Sequence, residues 1–206
     1  MPAGRLAGGD NPPGAGGRRE RLAEEATDYV LEHGIANLSL RPLAAAVGTS
    51  DRMLVYHFGT KDALVAEVIE RSNDRSLAVL RALEPARSPG HAVGALWEAW
   101  HDGVVGRCMR VYAQAAALGL LGAEPYLGAA RRANAAWTRE VMAYLVRSGT
   151  PQRLARRVGE LVDATLFGLW MDQPAAESDD AVRVVGDLAA SVQALVGEQG
   201  LGTRRT

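Results

Sequence analysis

Lysine is almost missing from this 206-residue chain: Lys61 stands alone, and arginine carries every other basic charge outside the four histidines. That bias, with abundant alanine and glycine, fits a GC-rich genome and carries no mechanism. Cysteine is nearly absent too. A single thiol, Cys108, excludes a disulfide framework and cannot build a zinc site alone. Net charge is close to zero, at −1, so no bulk attraction draws the chain to nucleic acid. Such a function would have to rest on a local patch. Long apolar runs are missing: the longest uncharged one, VYAQAAALGLLGA at 111–123, is too short to span a bilayer. The N-terminal MPAGRLAGGDNPPGAGG lacks the apolar core of a signal peptide, so residues 1–17 are expected to form a flexible arm. A soluble cytoplasmic protein is expected. There is no Gly-x-Ser-x-Gly elbow, Walker sequence, dinucleotide fingerprint or metal-spaced His/Cys cluster, so no catalytic residue, cofactor or metal is expected.

Period-2 alternation with β-branched enrichment is lacking, whereas helical spacing runs nearly everywhere. The expected fold is all-α, with about nine helices. A first helix is predicted over 18–33, with Leu22, Ala26, Tyr29, Val30 and His33 on one face and Gly34 as its stop. Ser39 is placed to cap a second helix, in which Pro42 falls in the tolerant first turn. Gly48 ends it, Ser50 caps a third helix near 51–57, and Thr60 caps a fourth from Lys61 to about Leu83. The middle of that fourth helix, RSNDRS at 71–76, is polar all round, as in a helix bridging two subdomains or a lever sliding over its neighbours. EPARSPG at 84–90 resembles a boundary. Five further helices are predicted near 89–105, 107–121, 125–148, 151–172 and 178–197, with breaks at Gly106, 122–125, 148–151 and 172–180.

Two short helices joined by a glycine turn, with a longer one in front, make a helix-turn-helix. Its second helix presents its N-terminal residues to base edges in the major groove. Ser39, Thr49, Ser50, Tyr56, His57 and Lys61 are candidate phosphate donors. From Ser39 to Lys61 three basic side chains face one acid, Asp51, so the local balance is positive.

The stretch LSLRPLAAAVGTSDRMLVYHFGTKDAL resembles the DNA-binding domain of TetR-family transcriptional regulators, over about Arg19 to Ile69. Ser39, Arg41, the Ala-Ala-Val-Gly turn, Ser50, Leu54, His57-Phe58 and Lys61 carry the likeness. It implies that Asp51, Arg52 and Met53 occupy base-reading positions. Arg52 can read guanine, and Met53 can touch a thymine methyl. Asp51 can accept from cytosine, orient Arg52, or simply complement the helix dipole. Val55 and Pro42 depart from the family pattern, which often has an aromatic residue and an acid there.

The resemblance divides the chain into a helix-turn-helix domain at 18–60 and a helical ligand-binding and dimerisation domain at 61–206. It also implies a small-molecule effector site among the later helices. Trp97, Trp100, Tyr112, Trp137, Tyr144, Phe167 and Trp170 are candidate walls, with His101, Arg110 and Gln114 as polar handles. Aromatics at this spacing equally build an ordinary core. Aromatic walls with few polar groups suit a mostly apolar ligand. On the last two helices, Leu154, Val158, Leu161, Val162 and Thr165 form one apolar stripe, and Ala181, Val185, Leu188, Val192 and Leu195 form another. Val182, Val184, Ala189 and Val196 widen the second stripe, and Gly168, Gly186 and Ala190 permit close approach. A homodimer through a four-helix bundle is expected, against the alternative of burial within one chain. The expected protein is a dimeric repressor on a pseudo-palindromic operator in double-stranded DNA, released by a small ligand. The rival is a helical carrier or enzyme whose helix-turn-helix does not act on DNA.

Overall fold

Glycines and hydroxyl caps divide the helices of the computed structural model, which describes residues 15–101, 103–173 and 180–202. Among the described residues there are nine helices and no strand: α1 Ala15–His33, α2 Leu40–Ala46, α3 Asp51–Phe58, α4 Lys61–Ala82, α5 Pro89–Trp100, α6 Gly103–Leu120, α7 Tyr126–Arg147, α8 Gln152–Asp172 and α9 Ala181–Gly202. Residues 1–14 of the expected arm lie outside the described residues. Residues 15–17 already belong to α1, so the helix begins three residues before the predicted start.

Gly34 ends α1 at φ +79°, with its N–H on the Val30 carbonyl at 2.7 Å. Gly48 turns the chain between α2 and α3 at φ +64°. Left-handed backbone of this kind favours glycine. Ser50 and Thr60 cap α3 and α4, accepting from the backbone N–H groups of Met53 and Ala63. Ser39 sits at the N-cap of α2, but its side chain makes no cap bond. One predicted break moves. Gly106 lies inside α6, and the chain turns around His101, whose Nδ1 is 2.8 Å from the Trp97 carbonyl.

Two cores form, and both draw on α4. The first holds Leu22, Ala26 and Val30 of α1, Leu43 of α2, Leu54 and Phe58 of α3, and Leu64, Val65, Val68 and Ile69 of α4. Cys108, Val111 and Ala115 of α6 close it. The second joins Leu77 and Leu80 to α5 through α9 around Trp100, Trp137 and Tyr144. Along α4 the cores meet at its polar middle.

Two arginines of that polar middle bind acids. Arg71 binds Glu20 at 2.7 Å, Glu24 at 2.7 Å and Glu67 at 3.0 Å, while Arg75 reaches Asp28 at 2.6 Å and also holds Glu24. Arg19 of α1 pairs with Glu67 of α4. These bonds hold Glu24 below the ordinary carboxylate range, with the Arg75 hydrogen bond as the largest cause. Ser72 and Ser76, about 100° round the helix from the two arginines, are buried. The expected sliding lever is thus clamped to α1 by a network of ion pairs.

Candidate DNA-reading head and effector cavity

The third helix offers an open face because only Leu54 and Phe58 of its eight residues are buried. Asp51, Arg52 and Tyr56 are exposed, Tyr56 at 72%. Met53 is half-buried. Asp51 Oδ1 accepts from the Arg52 backbone N–H at 2.9 Å, so this carboxylate closes the start of α3 and leaves the Arg52 guanidinium to project. Ser39, Arg41, Ser50 and Lys61 are exposed around the same helix.

Two expected phosphate donors are turned inward. The Thr49 hydroxyl and His57 Nε2 are enclosed with no hydrogen-bond partner, so neither atom faces solvent. The His57 ring packs edge-on to Tyr56 at 5.1 Å, and its carbonyl accepts from Arg19 Nε at 3.2 Å. Helical spacing could rank these residues by face but could not tell which atoms the turn encloses.

Behind the head lies a cavity of about 370 Å³ between α4, α5, α6, α7 and α8. Trp100, Tyr112, Trp137 and Phe167 line it, as expected for four of the candidates. The other six do not. Tyr144 is buried in the second core with Trp97. Trp170 backs the wall by packing on Phe167 and Trp100. Arg110 is exposed, and His101 is tied to Trp97 and to Gln173 Oε1. Gln114 serves elsewhere: its Oε1 accepts from the Ile35 N–H at 2.7 Å, fastening α6 to the end of α1.

The polar lining was not foreseen. Ser72, Asn73 and Ser76 come from α4, Asn134 and Thr138 from α7, and Glu160 and Asp163 from α8. Asp163 accepts from Trp137 Nε1 at 2.7 Å. Burial pushes its carboxyl up, against the lowering effect of that bond. Burial likewise raises the Tyr112 phenol, whose OH donates to Asn134 Oδ1 at 3.2 Å. An i, i+3, i+7 reading of α8 from Glu160 through Asp163 to Phe167 would have drawn both acids into the wall.

The two apolar stripes of α8 and α9 are largely spent inside the chain. Leu154, Val158 and Val162, with Ala181, Val185, Leu188 and Val192, are buried in the second core, and Leu195 packs against it. Periodicity shows that a face is apolar; it does not show whether the chain itself covers it. Thr165 is half-buried, its hydroxyl on the Leu161 carbonyl. The open side carries Leu161 at 44% exposure and Val182 at 69%. A Cβ added at Gly168 or Gly186 would meet nothing within 4 Å. No described helix is long and apolar enough to cross a membrane.

A short exposed helix on a clamped three-helix head, with an all-helical half behind it, defines a helix-turn-helix protein. Residues 22–68 match the family described as bacterial regulatory proteins, tetR family. A 73-residue stretch is 36% identical to the HTH-type transcriptional repressor Rv3405c of Mycobacterium tuberculosis, covering 34% of this chain and 39% of that protein. The chain thus aligns with about two fifths of that relative's length. A transcriptional regulator from Rhodococcus sp. Rha1 superposes with a TM-score of 0.65 at 26% identity, over 88% of this chain and 96% of that one. The multidrug binding protein EbrR in complex with proflavin superposes at 0.61 and 25% identity, over 83% and 99%. Residues 22–68 therefore resemble the helix-turn-helix domain of that family, and the likeness in fold to the Rhodococcus regulator continues through the second half.

Proposed function

We propose that the protein is a dimeric, sequence-specific DNA-binding repressor released by a small molecule in the α4–α8 cavity. One observation carries this reading: α4 links both sites. Its Ile69, Ser72, Asn73 and Ser76 line the cavity, while its Glu67, Arg71 and Arg75 grip α1 of the reading head. A ligand that binds better when α4 is displaced changes the placement of α3; equal affinity for both states would shift nothing. EbrR, described as a multidrug binding protein, supports a sensor role for the cavity.

In this reading α3 enters the major groove, Arg52 reads a base edge, and Ser39, Arg41, Ser50, Tyr56 and Lys61 hold phosphates. Two chains pair through the open side of α8 and α9, at Leu161, Thr165, Gly168, Val182 and Gly186. That pairing spaces two copies of α3 across a pseudo-palindrome.

Selection of genomic fragments by the purified protein, at one stated salt concentration, tests the proposal. An enriched inverted repeat supports it. No enrichment over random fragments refutes it and favours a helical carrier.

A further inference from the structure

Four aromatic rings and two carboxylates line the cavity, and among the described residues no basic side chain does. Trp100 stands edge-to-face with Trp137 at 5.8 Å and with Phe167 at 6.1 Å, and Tyr112 with Phe167 at 5.8 Å. Among the described residues, the lining contains no lysine, arginine or histidine. Its two acids differ. Glu160 is exposed and pairs with Arg156 at 2.8 Å. Asp163 is half-buried, receives the Trp137 N–H, and among the described residues forms no ion pair.

A carboxylate taken out of water beside aromatic rings is costly unless a cation or several donors answer it. One indole N–H is a partial answer. An anionic ligand would meet two acids and, among the described lining residues, no basic side chain. A neutral apolar ligand would fill the space and strip more water from Asp163. A cation gains from the carboxylate and from the electron-rich ring faces together.

We infer that the cavity takes a lipophilic organic monocation, with Asp163 as its counter-charge and the Trp100, Trp137 and Phe167 rings around it. The inference rests on reading the cavity as the effector site, and it adds one positive charge to the mostly apolar ligand expected from the aromatic residues. The volume of about 370 Å³ suits a small drug-sized molecule.

The test compares benzyltrimethylammonium with its neutral carbon isostere neopentylbenzene on the full chain, by calorimetry and tryptophan fluorescence. The cation binds at least about tenfold tighter than the isostere. Asp163→Asn keeps an acceptor for the Trp137 N–H and removes most of that preference, with isostere affinity held. Phe167→Leu narrows the preference as well. Equal or tighter binding of the isostere to the wild-type chain overturns the inference, as does an undiminished preference in Asp163→Asn or no binding of either probe. DNA affinity measured alongside separates the two readings. If the isostere binds as well as the cation and loosens DNA, the cavity is an effector site and the cation assignment falls. If the cation binds with the expected preference and leaves DNA affinity unchanged, the assignment stands and the effector role falls.

Discussion

Arg52 and Lys61 are both exposed basic residues beside α3, yet they are placed for different tasks. Asp51 bonds to the backbone N–H of Arg52, so the Arg52 guanidinium is free to present its planar fork to a guanine edge. Lys61 opens α4 and offers a point charge suited to phosphate. Arg52→Ala should flatten the preference at one position of each half-site, costing about 1–3 kcal/mol of discrimination there. Lys61→Ala should weaken every sequence alike and reduce the salt slope by about one. Anisotropy titrations over a set of single-base variants, at three salt concentrations, separate the two. Unchanged discrimination in Arg52→Ala removes it from base reading, and an unchanged slope removes Lys61 from the phosphate contacts.

Among the elements, α6 joins the cavity to the head by a route separate from α4. Met109 and Tyr112 face the cavity, and two residues beyond Tyr112, Gln114 holds the buried Ile35 just past the end of α1. Gly34 is part of the same joint: a Cβ there would lie 2.7 Å from Gln114 Oε1, and its φ is +79°. Gln114→Ala leaves the Ile35 N–H without its partner and should cost about 1–3 kcal/mol of stability. Gln114→Glu, which keeps an acceptor, should restore most of it. Thermal unfolding of the two variants checks this, and equal stabilities would mean that the bond is incidental.

Helix caps and stops were legible because Ser50, Thr60, Gly34 and Gly48 act through their own backbone neighbours. The Gly106 break was misplaced because a glycine can equally sit inside a helix. Gln114 was legible only as a polar residue near aromatics, since its partner lies 79 positions away. The same limit hid Asp163: its meaning comes from the Trp137 N–H on another helix.

At the scale of the whole molecule, the apolar stripes of α8 and α9 have two jobs that sequence alone merges. Leu188 is 8% exposed within the chain's own core, so Leu188→Glu should unfold the second half rather than merely split a dimer. Val182, on the open side, is the cleaner probe. Val182→Glu should keep its helical signal and melting temperature, sediment as a monomer, and lose most of its affinity for an inverted repeat. A folded Val182→Glu that remains dimeric moves the interface elsewhere.

The most direct measurement is sedimentation of the protein with its selected inverted repeat and with a scrambled duplex of the same composition, at one salt concentration. The account predicts two chains per repeat and a preference over the scrambled duplex of at least about a thousandfold. Equal affinity for both duplexes, or saturation by a single chain, would contradict it.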